Sequence, residues 1–269
     1  MNKDLINKKL EHNFCLKVSS LPSLHPSMLV RDAGCGITQI DAAVASDTFN
    51  VVCGGDFTDS AIAPKLSSIV QYYTFKQYPF AWWVGPSSWS STTHEILMSA
   101  GLVHTETEVG MAGDAQDILT KFKTIEEFTY LTVKTENNLH NFGLVMASVF
   151  EPFDEEAVRF YKMIAPYYNN EKIKMFVGYI DQVPAAICSC VIDDKFGGIY
   201  DIVTNPKFQK RGLGTYMTSI AIQFLKENGC DIIGMQASQD GQRIYDKLGF
   251  KQFDLFKVYS NKNLLANKK

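Results

Sequence analysis

Between Leu139 and Tyr259 the apolar residues fall into nine segments whose spacing alternates between helical and strand-like, and this order limits the architecture sharply. Leu139 to Phe150 is apolar at helical spacing. Asp154 to Tyr168 continues as a second helix, with Val158, Tyr161, Ile164 and Ala165 on one stripe and Pro166 near its end. Lys174 to Ile180, Val183 to Ile192 and Gly197 to Thr204 are rich in β-branched and aromatic residues. Asp181-Gln182 and Asp193-Asp194-Lys195 separate them as turns, so the three predict an antiparallel meander. Gly212 to Asn228 places Leu213, Met217, Ile220 and Phe224 on one face and stops at Gly229. Cys230 to Gln236 reads as a short strand, Ser238 caps a last helix that ends at Gly249, and Phe250 to Tyr259 is a final strand. The order ααβββαβαβ predicts a mixed α+β fold: a mixed, mostly antiparallel sheet flanked by helices.

The preceding residues contain an echo of this pattern. Ile96 to Leu102, followed by an alternating Val103 to Val109, has the same helix, glycine stop and strand as Ile244 to Phe250 followed by Lys251 to Val258, shifted by 148 residues (249 less 101). An internal duplication is therefore expected, in a chain of 269 residues that is long enough for two modest domains. A cut between Ile125 and Glu126 gives expected domains 1–125 and 126–269. The first carries nine basic and twelve acidic side chains and the second seventeen of each, so functional positive charge in the second must come from local clustering.

Several classes are excluded by composition. The formal net charge of −3 argues against nucleic acid as a partner, because phosphate backbones require a basic surface. No apolar run approaches the ~20 residues of a membrane-spanning helix, and the start of the chain lacks the apolar stretch of a signal peptide, so no membrane partner and a cytoplasmic location are expected. The six cysteines, Cys15, Cys35, Cys53, Cys188, Cys190 and Cys230, form no Cys-x-x-Cys pair; reduced structural thiols and no metal are expected. Cys188 and Cys190 would share one strand face as small buried apolar groups. The oligomeric state is not readable.

The stretch Thr204-Asn205-Pro206-Lys207-Phe208-Gln209-Lys210-Arg211-Gly212-Leu213-Gly214-Thr215 lies between a strand and a helix and is the most informative for chemistry. Pro206 ends the strand, and two glycines let the backbone turn into the helix without Cβ clashes. Backbone amides there converge with the positive end of the helix dipole, and Lys207, Lys210 and Arg211 add three positive charges, an arrangement suited to a pyrophosphate. A glycine-rich turn with a solvated basic face would look the same. Other phosphate motifs do not fit: a third glycine is missing for a dinucleotide fingerprint, Asp231 opens a strand where that fingerprint needs an acid closing one, and no Gly-Lys-Ser or Gly-Lys-Thr occurs. His94-Glu95 lacks the second histidine of a zincin, and no Gly-x-Ser-x-Gly elbow is present.

Gln209-Lys210-Arg211-Gly212-Leu213-Gly214 resembles the Gln/Arg-x-x-Gly-x-Gly/Ala loop of the GNAT superfamily of N-acetyltransferases, and Tyr245-Asp246-Lys247-Leu248-Gly249-Phe250 resembles that family's closing Tyr-x-x-x-Gly-Phe. The resemblance covers about residues 126–260 and includes the element order. It departs from the family at Ser238, often Asn, and Gly241, often Ala. The first part is similar, through Pro79 to Pro86 and Gly110-Met111-Ala112, to the N-terminal halves of bacterial acetyltransferases with two such domains. Shifted back by 148 residues, the loop falls on Ala61 to Leu66, which has no glycine, and Tyr245 falls on Leu97. The resemblance thus implies tandem GNAT-like domains, the first degenerate and serving the acceptor side or as scaffold.

It further implies transfer of an acetyl group from acetyl-CoA, a cosubstrate, to a primary amine within a ternary complex. The loop residues Gln209, Lys210, Arg211, Gly212, Leu213, Gly214 and Thr215 would hold the pyrophosphate. Ile202, Val203 and Thr204 would present backbone amides to the pantetheine arm and the oxyanion, and Ser238 would lie near that arm. Acetyl transfer to an amine needs a neutral nucleophile and a protonated leaving thiolate. Tyr245 is the candidate acid, though it could equally pack with Leu248. Asp201, in a strand expected to be largely buried, is the candidate base if burial raises its pKa, or else an ordinary hydrogen-bonded residue. Trp82, Trp83 and Trp89 either wall an acceptor site or, as favoured, fill a core. His94, His104 and His140 receive no role, and the acceptor amine is not readable. A non-catalytic acyl-CoA-binding or regulatory module is the alternative.

Overall fold

The computed structural model describes residues 2–123, 125–169 and 171–266, the side chains of Asp240 and Ala266 excepted. In chain order the principal elements are α1 (Lys3–Ser20), β1 (Leu29–Gly34), β2 (Ile37–Asp41), β3 (Val51–Gly54), α2 (Ile62–Lys76), β4 (Ala81–Val84), α3 (Ser91–Ser99), β5 (Val103–Asp114) and β6 (Phe128–Thr132). There follow α4 (Glu136–Ala147), α5 (Glu155–Ile164), β7 (Lys174–Ile180), β8 (Val183–Asp193), β9 (Phe196–Thr204), α6 (Leu213–Glu227), β10 (Ile232–Ala237), α7 (Gln239–Asp246), β11 (Lys251–Ser260) and the short α8 (Lys262–Ala266). The fold is the expected mixed α+β class with mostly antiparallel strands flanked by helices. The ααβββαβαβ order is observed over residues 139–259, with element ends displaced by a few residues, but the expectation that two helices open the second part is corrected: β6 precedes them and pairs with β7, and the short α8 follows β11. No helix among the described residues is long and apolar enough to cross a membrane.

The chain divides into two compact units, Met1–Val109 with Asp254–Lys269, and Gly110–Phe253. These differ from a cut at Ile125/Glu126. In the first unit β1, β2 and β3 form an antiparallel meander, β4 pairs parallel with β3, and Lys257–Ser260 of β11 pair antiparallel with Val84–Ala81 of β4. In the second unit β6, β7, β8 and β9 are successively antiparallel, β10 is parallel to β9, and β5 follows β10 in the sheet order. The division falls inside β5, between Val109 and Gly110, and inside β11, between Phe253 and Asp254. Residues 110–123 are held by the second unit: Ala115 N donates to Asp231 O (2.8 Å), Leu119 N to Leu248 O (2.8 Å), and Lys226 Nζ to Ile118 O (2.6 Å).

Both units run strand meander, helix, parallel strand, helix. α3 and α7 start 148 residues apart (239 less 91), as do β5 and β11 (251 less 103). The first unit's core is built on the buried Trp82, Tyr73 and Phe80, with Tyr73 and Phe80 stacked at 4.5 Å. The tryptophans part company: Trp82 is core, Trp83 is half-buried against Phe14 at 4.4 Å, and Trp89 is exposed beneath the Lys257 ammonium.

In the second unit Cys188 and Cys190 share one face of β8, fully buried, and their thiols donate to the carbonyls of Met217 and Ala221 on α6. Ser189, between them, points to the opposite face. Asp181 and Gln182 both have positive φ, which matches a two-residue hairpin whose twist follows that of its strands.

Candidate active site

Two parallel strands that separate make a cleft. β9 pairs with β10 only from Phe196 to Gly198, opposite Ile232 to Gly234, so the outer half of β9 is left with an edge that β10 does not cover. Those outer residues, Asp201, Ile202, Val203 and Thr204, are all half-buried, whereas Phe196 to Tyr200 are buried. The expectation of a largely buried Asp201 is corrected on this point: burial of the strand ends at Tyr200, two residues beyond the last pair with β10.

At the end of β9, Asn205 caps a short turn, its side-chain oxygen accepting from Lys207 N (3.1 Å). The chain then turns into α6 through Lys210 at φ +63° and Gly212 at φ +87°. Left-handed backbone of this kind is costly for a residue with a Cβ, and it accounts for Gly212. A Cβ at Gly212 would meet nothing within 4 Å, so the side facing away from the protein is open. A Cβ at Gly214 would lie 3.9 Å from Thr204 Oγ1, which brings the start of α6 beside the end of the uncovered strand. The first helical bond runs from Tyr216 N to Gly212 O (3.1 Å), and the N–H groups of Leu213, Gly214 and Thr215 in the first turn have no intrahelical acceptor. Gln209, Lys210, Arg211 and Gly212 are exposed, Gly214 and Thr215 half-buried; the Leu213 side chain is buried, so only its backbone faces the loop. Ile202, Val203, Thr204 and the residues 209–215 thus form one continuous surface, positive at its outer end.

Asp201 sits at a β-bulge. The register of β9 on β8 shifts between Ile187 and Ser189, and Asp201 itself has φ +53°. Its Oδ2 accepts a 2.6 Å hydrogen bond from Ser189 Oγ, on the face of β8 opposite Cys188 and Cys190. Burial, with the Asp201 charge adding to it, pushes the Tyr161 phenol well above its usual range, so Tyr161 stays neutral below this carboxylate. The bulge and the serine partner carry no sequence signal of their own; only the strand register reveals them.

Tyr245 and Ser238 lie on α7, which follows β10, the other arm of the cleft. Ser238 is exposed and its hydroxyl accepts from Gly241 N (3.4 Å) as the helix cap. The half-buried Tyr245 ring lies edge-on to Phe250 at 6.2 Å and directly over Gly241, where a Cβ would approach Tyr245 Cε2 to 2.9 Å. Gly241 is therefore what lets the ring lie down along the helix, a role that the sequence showed only as a departure from an expected alanine.

Residues 145–250 match the acetyltransferase (GNAT) family. Among curated proteins none matches the chain. The fold is similar to that of a GCN5-related N-acetyltransferase from Kribbella flavida, at 15% identity and a TM-score of 0.64, over 91% of this chain and 94% of that one. It is also similar to a putative GNAT-family acetyltransferase from Novosphingobium aromaticivorans, at 11% identity and 0.54, over 93% and 96%. A tandem GNAT protein from the clavulanic acid biosynthesis pathway is likewise similar, at 10% identity and 0.55, over 96% and 95%. At such identities the structural likeness speaks for the fold. The family match in sequence runs across the loop, the start of α6 and α7.

Proposed function

We propose that the protein is an N-acetyltransferase that moves an acetyl group from acetyl-CoA directly to a primary amine, in the cleft of the second unit, within a ternary complex. The observation that carries this reading is the uncovered edge of β9 running into the glycine-turned start of α6. An extended amide-bearing arm can lie along the first and a pyrophosphate against the second, and the residues present fit both. Lys210 and Arg211 add charge at the phosphate end, and the amides of Ile202, Val203 and Thr204 line the pantetheine path, with Ser238 across from them. When bound, acetyl-CoA supplies the activated acyl group; the protein's part is to hold it, exclude water and move protons.

Two side chains are assigned to protons. Tyr245 Oη gives its proton to the departing thiolate, and its placement by Gly241 and Phe250 supports that role. Asp201, held by Ser189 at the bulge, takes the ammonium proton directly or through one water. The first unit is read as a degenerate copy of the second that serves as scaffold or shapes the acceptor side; the 148-residue register of its last helix and strand supports a duplication. Free thiols and a net charge of −3 agree with a cytoplasmic protein without a nucleic-acid or membrane partner. No metal is required by this chemistry.

The test is thiol release from acetyl-CoA over a panel of amines, followed by Tyr245→Phe on the acceptor that is turned over. A general acid contributes about 10²–10⁴-fold in rate, so kcat should fall by that factor while coenzyme A affinity stays within about twofold. Binding of coenzyme A without thiol release on any amine would favour a non-catalytic acyl-CoA-binding module. A kcat within about threefold of wild type, where chemistry limits the rate, would remove Tyr245 from the mechanism.

A further inference from the structure

A second cavity, of about 290 Å³, lies wholly within the first unit, between α1 and the strands β2, β3 and β4. It has no part in the cleft described above. Phe14, Trp83 and Phe256 form its apolar walls, while Glu11 is fixed at one side by a 2.7 Å hydrogen bond from Ser87 N. Two thiols open into it, Cys15 from α1 and Cys53 from β3. Thr38 lines the same cavity beside them, and the two side chains are close enough for each to influence the other's proton. This differs from Cys188 and Cys190, which face helix carbonyls in a dry core and whose thiols burial pushes up.

The pair is electronically unequal. Hydrogen bonds from Cys53, Thr38 and Ser19, with the neighbouring His12, outweigh desolvation and hold the Cys15 thiol down to about 6; Cys53, the fully buried donor, is pushed well above the usual thiol range. Of the two, Cys15 is the sulfur biased toward the thiolate. Cys15 is half-buried and Cys53 buried, both line the cavity, and among the described residues no group of three His, Cys, Asp or Glu side chains is placed to hold a metal.

We propose that Cys15 and Cys53 form a peroxide-reactive dithiol site, in which a small hydroperoxide enters the cavity and oxidises Cys15, and Cys53 resolves the product as an intramolecular disulfide. In the first step the Cys15 sulfur attacks the terminal peroxide oxygen. An S–O bond forms, the O–O bond breaks, and the alkoxide or hydroxide leaves and takes up a proton, so the sulfur is oxidised by two electrons to a sulfenic acid. In the second, the Cys53 sulfur attacks Cys15, the S–S bond forms, the S–O bond breaks, and the departing hydroxide combines with the Cys53 proton as water. The net change is two thiols and one hydroperoxide to one disulfide, one alcohol or water, and one water.

The experiment uses the reduced full-length protein and hydrogen peroxide in equimolar amount at pH 7, with non-reducing peptide mapping. A cross-linked pair of peptides bearing Cys15 and Cys53, lighter by two hydrogens, is expected, with Cys188 and Cys190 still free. In Cys53→Ser, dimedone should trap a sulfenic acid on Cys15. A measurement on the wild type needs no variant to fold: iodoacetamide should alkylate Cys15 at least tenfold faster than Cys35, whose thiol burial and Asp59 push up. Recovery of both thiols unoxidised while Cys35 reacts, or alkylation of Cys15 no faster than Cys35, would overturn the proposal.

Discussion

Gly212 concentrates the physics of the loop in one residue. Its φ of +87° excludes a β-branched side chain, yet the space beside it is open, so substitution distorts the turn without disturbing the core. Gly212→Val should fold normally and bind coenzyme A at least tenfold more weakly; calorimetric titration of a folded variant with unchanged affinity would dissociate the loop from phosphate binding. A different residue, Glu108, contributes to the pH response of the first unit. Burial raises the Glu108 carboxyl to about 7, with the Glu106 charge adding and Lys17 opposing. Because the folded state holds this proton more tightly than the unfolded chain does, the contribution to stability is complete below about pH 4.5 and is lost as the pH rises toward 7. Glu108→Gln, which mimics the protonated form, should be more stable than wild type by about 1–2 kcal/mol above pH 8, allowing for solvent screening of a half-buried group, and equal to it near pH 4. Urea unfolding at the two pH values separates this from a general packing effect, which would persist at pH 4.

At the scale of the element, α7 shows how one missing methyl sets a side chain. The Ser238 cap fixes the helix start, and Gly241 leaves room for the Tyr245 ring. Gly241→Ala should favour the helix by up to about 1 kcal/mol through propensity, while the added Cβ displaces the ring. Stability and activity should therefore move in opposite directions: Tm unchanged or higher, kcat lower by about tenfold, coenzyme A affinity within twofold. An unchanged kcat with a resolved rise in Tm would mean that the ring position is immaterial to turnover.

At the scale of the molecule, the two units carry corresponding helices with different starts. α2 begins at Ala61 in ordinary right-handed backbone, with no glycine turn; Ala61 N and Ile62 N already donate to Asp59, and Pro64 removes another donor from the first turn. Nothing there resembles the open amides and basic residues at α6. Coenzyme A should accordingly bind at one site per chain, and a titration giving a stoichiometry near two would show that the first unit has a phosphate site of another construction. A fragment cut at 125/126 would lose residues 110–125 of the second unit, with the bonds that Ala115, Ile118 and Leu119 make, so coenzyme A binding is expected from the whole chain rather than from residues 126–269.

The apolar periods of residues 139–259, the turn residues and the helix caps are local properties, since each depends on the spacing of a few neighbouring side chains. They were enough to specify the order of elements, the glycine turn into α6 and the buried face of Cys188 and Cys190. The 148-residue echo was legible for the same reason, as two copies of one helix, glycine and strand. Pairing between distant segments is another matter. β4 takes one neighbour, β11, more than a hundred positions away, and nothing in the sequence of either strand marks that pairing. The half-exposed setting of Asp201, its serine partner across the bulge, the ring of Tyr245 lying over Gly241, and the meeting of Cys15 with Cys53 in one cavity all follow from that packing. Chemical identity was written locally; the company each residue keeps was settled by the tertiary fold.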